Sequence, residues 1–226
     1  MISWFLPVLF GALDGYEAVR QRMVRVDIEA RGVHSAIVLE AMRSTARHLF
    51  VPAPLRYLAY ADRPLPIGHG QTISQPYVVA FMTELLDPQP HHRVLEIGTG
   101  CGYQAAVLAH LSNQVISIER LRSLHDKARE LLAPLRAHNL RLVYGDGMLG
   151  HAPNAPYDSI IAAAGGAEVP PAWLEQLAVG GRLVSPVQEG AGSRQVLVVV
   201  DRTESGFDRS TCEVVQFVPL KSGRDR

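Results

Sequence analysis

Cysteine is nearly absent: among 226 residues only Cys101 and Cys212 carry a thiol. Two such distant residues cannot build a disulfide framework and lack metal-ligand spacing. The small disulfide-stapled secreted domains are thereby excluded, and a reducing, cytoplasmic setting is expected. Surplus charge of either sign is also missing, since 22 basic residues balance 22 acidic ones. A protein that grips a nucleic-acid backbone carries a basic excess, so no nucleic-acid partner is expected. Long apolar runs are missing as well. The stretch from Ile2 to Leu13, with Trp4, Phe5, Leu6, Val8, Leu9 and Phe10, is the nearest approach. It is too short to cross a bilayer. Pro7 interrupts it and no basic residue precedes it, which makes a poor signal peptide. It reads as a packing or oligomer-contact segment, without stable membrane insertion. Repeats and low-complexity tracts are absent, and nothing in the sequence fixes an oligomeric state.

What is present falls into two parts. Residues 1–90 read as a helical N-terminal part with an active-site loop, and residues 91–226 as an α/β domain, the two forming one structural unit. Tyr16 to Phe50 has helical texture, broken at Gly32, with Ser35 placed to cap a second helix. Pro52, Pro54, Pro64 and Pro66 mark irregular chain, and Arg63 to Gln75 reads as a loop with Gly68 and Gly70. A helix follows Pro76 and ends at Pro88 and Pro90. From there strands and helices alternate. Strands are expected at Arg93–Ile97, Val115–Ile118, Arg141–Tyr144, Ser159–Ala163 and Arg182–Val187. Leu121, Leu124, Ala128, Leu131, Leu132 and Leu135 form an apolar stripe at helical spacing. Pro170-Pro171 opens a further helix, which Gly180-Gly181 closes. Gln195–Val200 and Glu213–Val218 form a hairpin around Gly206. Alternation of this kind implies a doubly wound, mostly parallel sheet, Rossmann-like, with N-terminal helices and a C-terminal β-hairpin.

The chemistry gathers at Val94-Leu95-Glu96-Ile97-Gly98-Thr99-Gly100-Cys101-Gly102, a buried strand running into a glycine turn and then a helix. Such a turn lets backbone approach a ligand at the carboxyl ends of the strands. The third glycine of the dinucleotide fingerprint is replaced by Tyr103, and Glu96 stands inside the strand, where a pyrophosphate would be repelled. S-adenosylmethionine has no phosphate; it carries an ammonium group and a sulfonium, beside which a carboxylate is favourable. Glu119 ends the second strand, 23 residues after Glu96, where an acid can accept hydrogen bonds from ribose hydroxyls. Asp146, between Gly145 and Gly147, follows the third strand and suits an adenine amino group. Three acids at successive strand ends, beside one glycine turn, point to that cofactor.

These residues belong to a wider set of motifs. Arg31-Gly32-Val33, Arg47-His48-Leu49-Phe50-Val51-Pro52 and Ala59-Tyr60-Ala61-Asp62 come first. Pro64-Leu65-Pro66-Ile67-Gly68-His69-Gly70-Gln71-Thr72-Ile73-Ser74-Gln75-Pro76 follows, then the glycine turn, Gly145-Asp146-Gly147, Ala155-Pro156-Tyr157-Asp158 and Phe217-Val218-Pro219-Leu220. Together, from about Arg22 to Leu220, the chain resembles the protein-L-isoaspartate(D-aspartate) O-methyltransferase family. The resemblance implies methyl esterification of the free carboxylate of L-isoaspartyl residues in damaged proteins and peptides, with S-adenosylmethionine converted to S-adenosylhomocysteine. It makes Ser74 the catalytic residue. Ser74, Gln75, Val218, Pro219 and Leu220 become the substrate side. Thr72, Ile73, Glu96, Gly98, Thr99, Gly100, Glu119, Arg120, Gly145, Asp146 and Gly147 become the cofactor side. The sequence departs from the family at Cys101, where serine is usual, at Met148, where an aromatic is common, and at Gly165-Gly166.

The reaction so implied suits the residues. A carboxylate is already ionised at neutral pH, so no strong base is required. What is required is alignment, and a hydroxyl at Ser74 can orient the acceptor by donating a hydrogen bond. Ser74 can also cap the helix at Pro76. His69, between two glycines, reads as a surface loop histidine, and the two glycines suggest a loop that moves over the site. His91 and His92 lack a third ligand, so no metal is expected. Asn154-Ala155-Pro156-Tyr157 looks like the Asn/Asp-Pro-Pro-Tyr motif of amino-group methyltransferases. It lacks the first proline, however, and precedes its strand instead of leaving it.

Overall fold

The computed structural model describes residues 15–190, 192 and 194–225; the apolar stretch Ile2 to Leu13 lies outside them. The N-terminal helix α1 (Glu17–Met23) runs on through a π-turn and a 3-10 turn to Arg31. Gly32 stops it in the left-handed region at φ 101°, where glycine pays no Cβ penalty. Ser35 does stand at the N-cap of α2 (Ala36–Ser44), but its hydroxyl does not cap. The Glu84 carboxylate accepts from the His34 and Ser35 amides at 2.6 and 2.5 Å instead.

Residues 63–75 were expected to be loop and contain a hairpin. Strands β1 (Leu65–Gly68) and β2 (Gln71–Ile73) pair antiparallel around His69-Gly70, with Leu65 opposite Ile73. Leu65, Ile67 and Ile73 point into the core while Pro66 and Thr72 face out. This period-two burial is a strand pattern too short to outweigh its prolines and glycines in the sequence. Helix α3 (Pro76–Leu86) follows, ended by Asp87 in the left-handed conformation.

The main sheet is built from β3 (Arg93–Ile97), β4 (Gln114–Glu119), β5 (Leu140–Tyr144), β6 (Tyr157–Ala162), β7 (Leu177–Gln188), β8 (Gln195–Arg202) and β9 (Phe207–Val215). Its order is β5-β4-β3-β6-β7-β8-β9, parallel through β7 and antiparallel thereafter. Helices α4 (Tyr103–Ala109), α5 (Arg122–Leu132) and α6 (Pro171–Gln176) fill the connections. The chain builds outward from β3 in one direction through β4 and β5 and in the other through β6 and β7, so strand order reverses between β3 and β6, the switch point at which open α/β sheets hold ligands.

Alternation along the strands separates two cores. Val94, Val115, Ile161 and Val184 pack with Met82 and Leu86 of α3 and Leu108 of α4. Leu95, Ile97, Ile116 and Ile160 pack on the opposite face against Trp173 of α6. The central strands are therefore buried on both faces, as parallel sheets are. Beneath the glycine turn, the fully buried Arg47 donates to the Ala59 carbonyl at 2.8 Å and lies 4.9 Å from the Tyr103 ring centre.

Two boundaries differ from expectation. Gly180-Gly181 does not close α6, which ends at Gln176; both glycines lie within β7. They form the irregular stretch between the Tyr157–Leu177 and Ser159–Arg182 pairs. A Cβ at Gly181 would sit 2.9 Å from the Asp158 carbonyl oxygen, so close strand approach, not helix termination, explains the glycine. The second hairpin strand starts at Phe207, directly after Gly206, instead of Glu213. Its outward, polar face hid it from a search for apolar alternation. No helix among the described residues is long and apolar enough to cross a membrane.

Candidate active site

A cleft opens at the carboxyl ends of β3, β4 and β6, with about 1040 Å³ of empty space once its open mouth is included. Its floor is the glycine turn. The amides of Gly98 and Thr99 donate to the Ile118 carbonyl at 2.9 and 3.1 Å, which ties the turn to β4. The buried Thr99 and Ser117 hydroxyls share a hydrogen bond of 2.6 Å. Gly98 and Gly100 take φ of 93° and 56°, conformations that side-chain-bearing residues rarely adopt. Here the glycines expose backbone to the cleft without a side chain in the way.

Glu119 sits where the turn meets β4. One carboxylate oxygen accepts from the Gly100 amide and the other from the Leu121 amide, both at 2.9 Å. Each oxygen can accept a second bond, so the pair remains able to receive two vicinal hydroxyls. Across the cleft stand Thr72, Ile73 and Ser74 from the hairpin, and Val218, Pro219 and Leu220 from the chain after β9. That last segment is pinned by Gly165, whose amide donates to Val218 O at 2.9 Å and whose carbonyl accepts from Leu220 N at 2.8 Å. Arg120 and Gly147 complete the wall.

Four residues expected at the site stand off its wall. Gly145 donates its amide to Glu119 O and supports the wall from behind. Gln75 turns away, donating its side-chain amide to Asp62 at 2.7 Å. Asp146 has both oxygens engaged: one accepts from Met148 N at 2.9 Å, the other from Gly223 N at 2.6 Å. Glu96 lines a smaller cavity behind the cleft, shared with Ser74, Val79 and Gln104. Its carboxyl is wholly buried and neither oxygen has a hydrogen-bond partner of normal geometry. Burial pushes its pKa up to about 8; the Ser117 hydroxyl pulls the other way, and the Glu119 charge adds to the rise. A cation brought beside it would restore the carboxylate form.

Ser74 does not cap α3, whose N-cap is Gln75. Its half-buried side chain lines both the cleft and the cavity behind it. His69 is exposed at the hairpin tip, with φ 54°.

Some of the wall had not been anticipated. Ala163 and Ala164 follow β6 on the cleft face; the run of small residues from Ala162 to Gly166 at a strand end was the available signal. Lys221 and Asp225 also face the cleft. They arrive on a tail that is tied across the end of the sheet, with an isolated parallel bridge from Asp225 to Leu121. Asp225 N donates to Arg120 O at 2.9 Å, and Tyr144 Oη to Asp225 O at 3.1 Å. No local pattern announces such a return. Among the described residues no cluster of His, Cys, Asp and Glu suits a metal ion.

Sheet order, switch-point cleft and glycine turn are those of a Rossmann-like S-adenosylmethionine-dependent methyltransferase. Residues 18–225 match the family model of protein-L-isoaspartate(D-aspartate) O-methyltransferase, and the chain belongs to that family. It is 61% identical over 212 residues to the protein-L-isoaspartate O-methyltransferase of Methylibium petroleiphilum, covering 92% of this chain and 78% of that protein. Identity to the same-named protein of Leptothrix cholodnii is 57%, covering 93% of this chain and 75% of the relative. A solved protein-L-isoaspartate O-methyltransferase superposes with a TM-score of 0.81 at 29% identity, over 90% of this chain and 66% of that one. A Plasmodium falciparum protein solved with S-adenosyl-L-homocysteine shares the fold, with a TM-score of 0.79 at 23% identity, over 89% and 98%.

Proposed function

We propose that the cleft receives the free carboxylate of an L-isoaspartyl residue against Ser74, and the methyl donor against the glycine turn. The chain is then a protein-repair enzyme that methyl-esterifies isoaspartyl peptides and proteins. One observation carries the reading: the Ser74 side chain and the Gly98–Gly100 turn line the same cleft, opposite Val218–Leu220. Bound there, S-adenosylmethionine supplies an electrophilic methyl group.

The residues of the chain do the rest. Gly98, Thr99 and Gly100 offer close backbone approach, while Glu119 and Arg120 hold the ribose side. Thr72, Ile73 and Gly147 close the wall around the cofactor. Asp146, with Gly145 and Gly147 about it, is assigned to the adenine end, where it would share acceptor capacity with the Gly223 amide. Glu96 acts from the rear cavity as the anionic partner of a cationic ligand group. On the substrate side, Val218, Pro219 and Leu220 give an extended peptide a fixed edge, while Gln75, its side chain held on Asp62, anchors the chain beside Ser74 without facing the cleft. Ser74 donates to one oxygen of the acceptor and leaves the other free to attack. Because that acceptor is ionised at neutral pH, the site's part is orientation and exclusion of water, not proton removal. Cytoplasmic action is supported by two cysteines that are both free, Cys101 buried and Cys212 exposed.

The test is methyl transfer from labelled S-adenosylmethionine to two peptides that differ only in isoaspartyl versus normal aspartyl linkage. Base-labile label on the isoaspartyl peptide alone is expected. Equal labelling of both, or none on either with the cofactor still bound, would overturn the assignment of substrate.

A further inference from the structure

Two residues outside the cleft lining, Arg31 and Asp62, have no part in the chemistry above, yet they meet at the base of the loop that carries Ser74. One Asp62 oxygen accepts from the Tyr77 amide at 2.9 Å. The other accepts from the Gln75 side-chain amide at 2.7 Å and from the Arg31 guanidinium at 2.5 Å. The same guanidinium lies 3.7 Å from the centre of the Tyr77 ring, which is stacked on Phe81 at 5.6 Å.

The placement has a physical cause. Helix α3 begins with Pro76 and is capped by no side chain of its own. Pro76 has no N–H, so Tyr77 carries the first donor of the helix that needs a partner. Asp62 supplies it from outside the segment. In doing so, one carboxylate grips the residue next to Ser74 and the residue three beyond it. Arg31 balances the charge, and its cation–π contact keeps Tyr77 in place. Asp62 is largely shielded, its side chain only 14% exposed.

We propose that Asp62, braced by Arg31, is a positioning residue that sets the orientation of the Ser74 hydroxyl for methyl transfer. This rests on the assignment of Ser74 as the group that orients the acceptor. Asp62 touches neither ligand; it acts through Gln75 and Tyr77. Releasing both should move Ser74 on the scale that costs roughly 10²-fold in rate, while the glycine turn, held to β4, keeps its affinity for cofactor.

The experiment compares Ser74→Ala, Asp62→Ala, Gln75→Glu, and Gln75→Glu combined with Asp62→Asn. For each, kcat and KM are measured on an isoaspartyl peptide, and S-adenosylhomocysteine affinity by calorimetry. Asp62→Ala is expected to lower kcat by roughly 10²-fold with cofactor affinity retained. Gln75→Glu sets two carboxylates face to face and should also lower kcat. Adding Asp62→Asn replaces that repulsion with an amide-to-carboxylate hydrogen bond, leaves an oxygen for Tyr77 N and passes Arg31, which now faces an amide N–H at 62, to the carboxylate introduced at 75; it should restore most of the rate. This rescue uses near-isosteric changes, so it stands even where Asp62→Ala fails to fold. An impaired Ser74→Ala beside an Asp62→Ala of unchanged kcat would overturn the clamp alone. So would absence of rescue in the paired variant. Ser74→Ala at full turnover would overturn the assignment of Ser74 and the clamp with it.

Discussion

The glycine turn and the hairpin face each other across one cleft but are held in opposite ways. The turn is fixed through its own amides, which reach the Ile118 carbonyl and the Glu119 carboxylate, and its strand is buried on both faces. The hairpin has strands of four and three residues, and Pro66, Gly68, His69, Gly70 and Thr72 lie at its surface. It is anchored by three apolar side chains, and the chain that follows it by one carboxylate. The cofactor half is thus tied to the sheet at several points, by main chain at Ile118 and by the Glu119 and Ser117 side chains of β4. The substrate half is hung on particular side chains, and local opening concentrates in such thinly anchored segments.

The largest effect expected is on the thinly held side and on rate alone. Ser74→Ala should lower turnover by roughly 10²-fold and leave S-adenosylhomocysteine affinity near that of the wild type; a matching loss of affinity would erase the division of labour. Next comes the backbone side. At Gly102, with φ 92°, an added Cβ would lie 2.7 Å from Leu132 Cδ1. Gly102→Ala should cost about 2–4 kcal/mol, from the left-handed conformation and the overpacking together, read by urea unfolding. Gly70→Ala in the hairpin, with φ 67° and nothing within 4 Å, should cost only about 1–2 kcal/mol. Equal losses would contradict the contrast.

A pH effect sharpens the comparison further. Burial raises Glu96 from 4.5 to about 8, so the folded protein keeps a proton that the unfolded chain gives up. Stability of the cofactor-free protein should be highest with respect to this group below pH 4.5, fall as pH climbs to about 8, and level off above. Glu96→Gln should remove that slope and gain on the wild type across the window. Parallel unfolding curves for the two from pH 5 to 8 would place the proton elsewhere. The smallest effect belongs to Arg122→Ala. This breaks an exposed pair with Asp126 at 2.7 Å, and surface pairs contribute little. Neither melting temperature nor activity should move.

Legibility followed the same divide. Strand–turn–helix alternation from Arg93 onward was readable because doubly buried strands are apolar throughout and helices carry a stripe. Gly98, Gly100 and Glu119 were readable because their spacing answers to a ligand. Asp146 and Gln75 were recognisable as motif members, but no local pattern shows that their side chains already hold Gly223 and Asp62. The hairpin at 65–73 was masked by its prolines and glycines. The tail's return to Asp146 and Arg120 was invisible because contacts between positions about eighty or a hundred residues apart leave no periodic trace. The same holds for the Arg31–Asp62 meeting: both residues were on view, their convergence was not.

Trp173 gives the molecule an optical readout of its own. Its indole is fully buried and donates to the Gly147 carbonyl at 2.7 Å, and Gly147 is part of the cleft wall. The chain's other tryptophan is Trp4. A dry indole wired to the lining of a binding site converts small displacements of that lining into changes in emission. With Trp4→Phe as background, occupancy of the cleft becomes something that can be followed by fluorescence, without label and in real time.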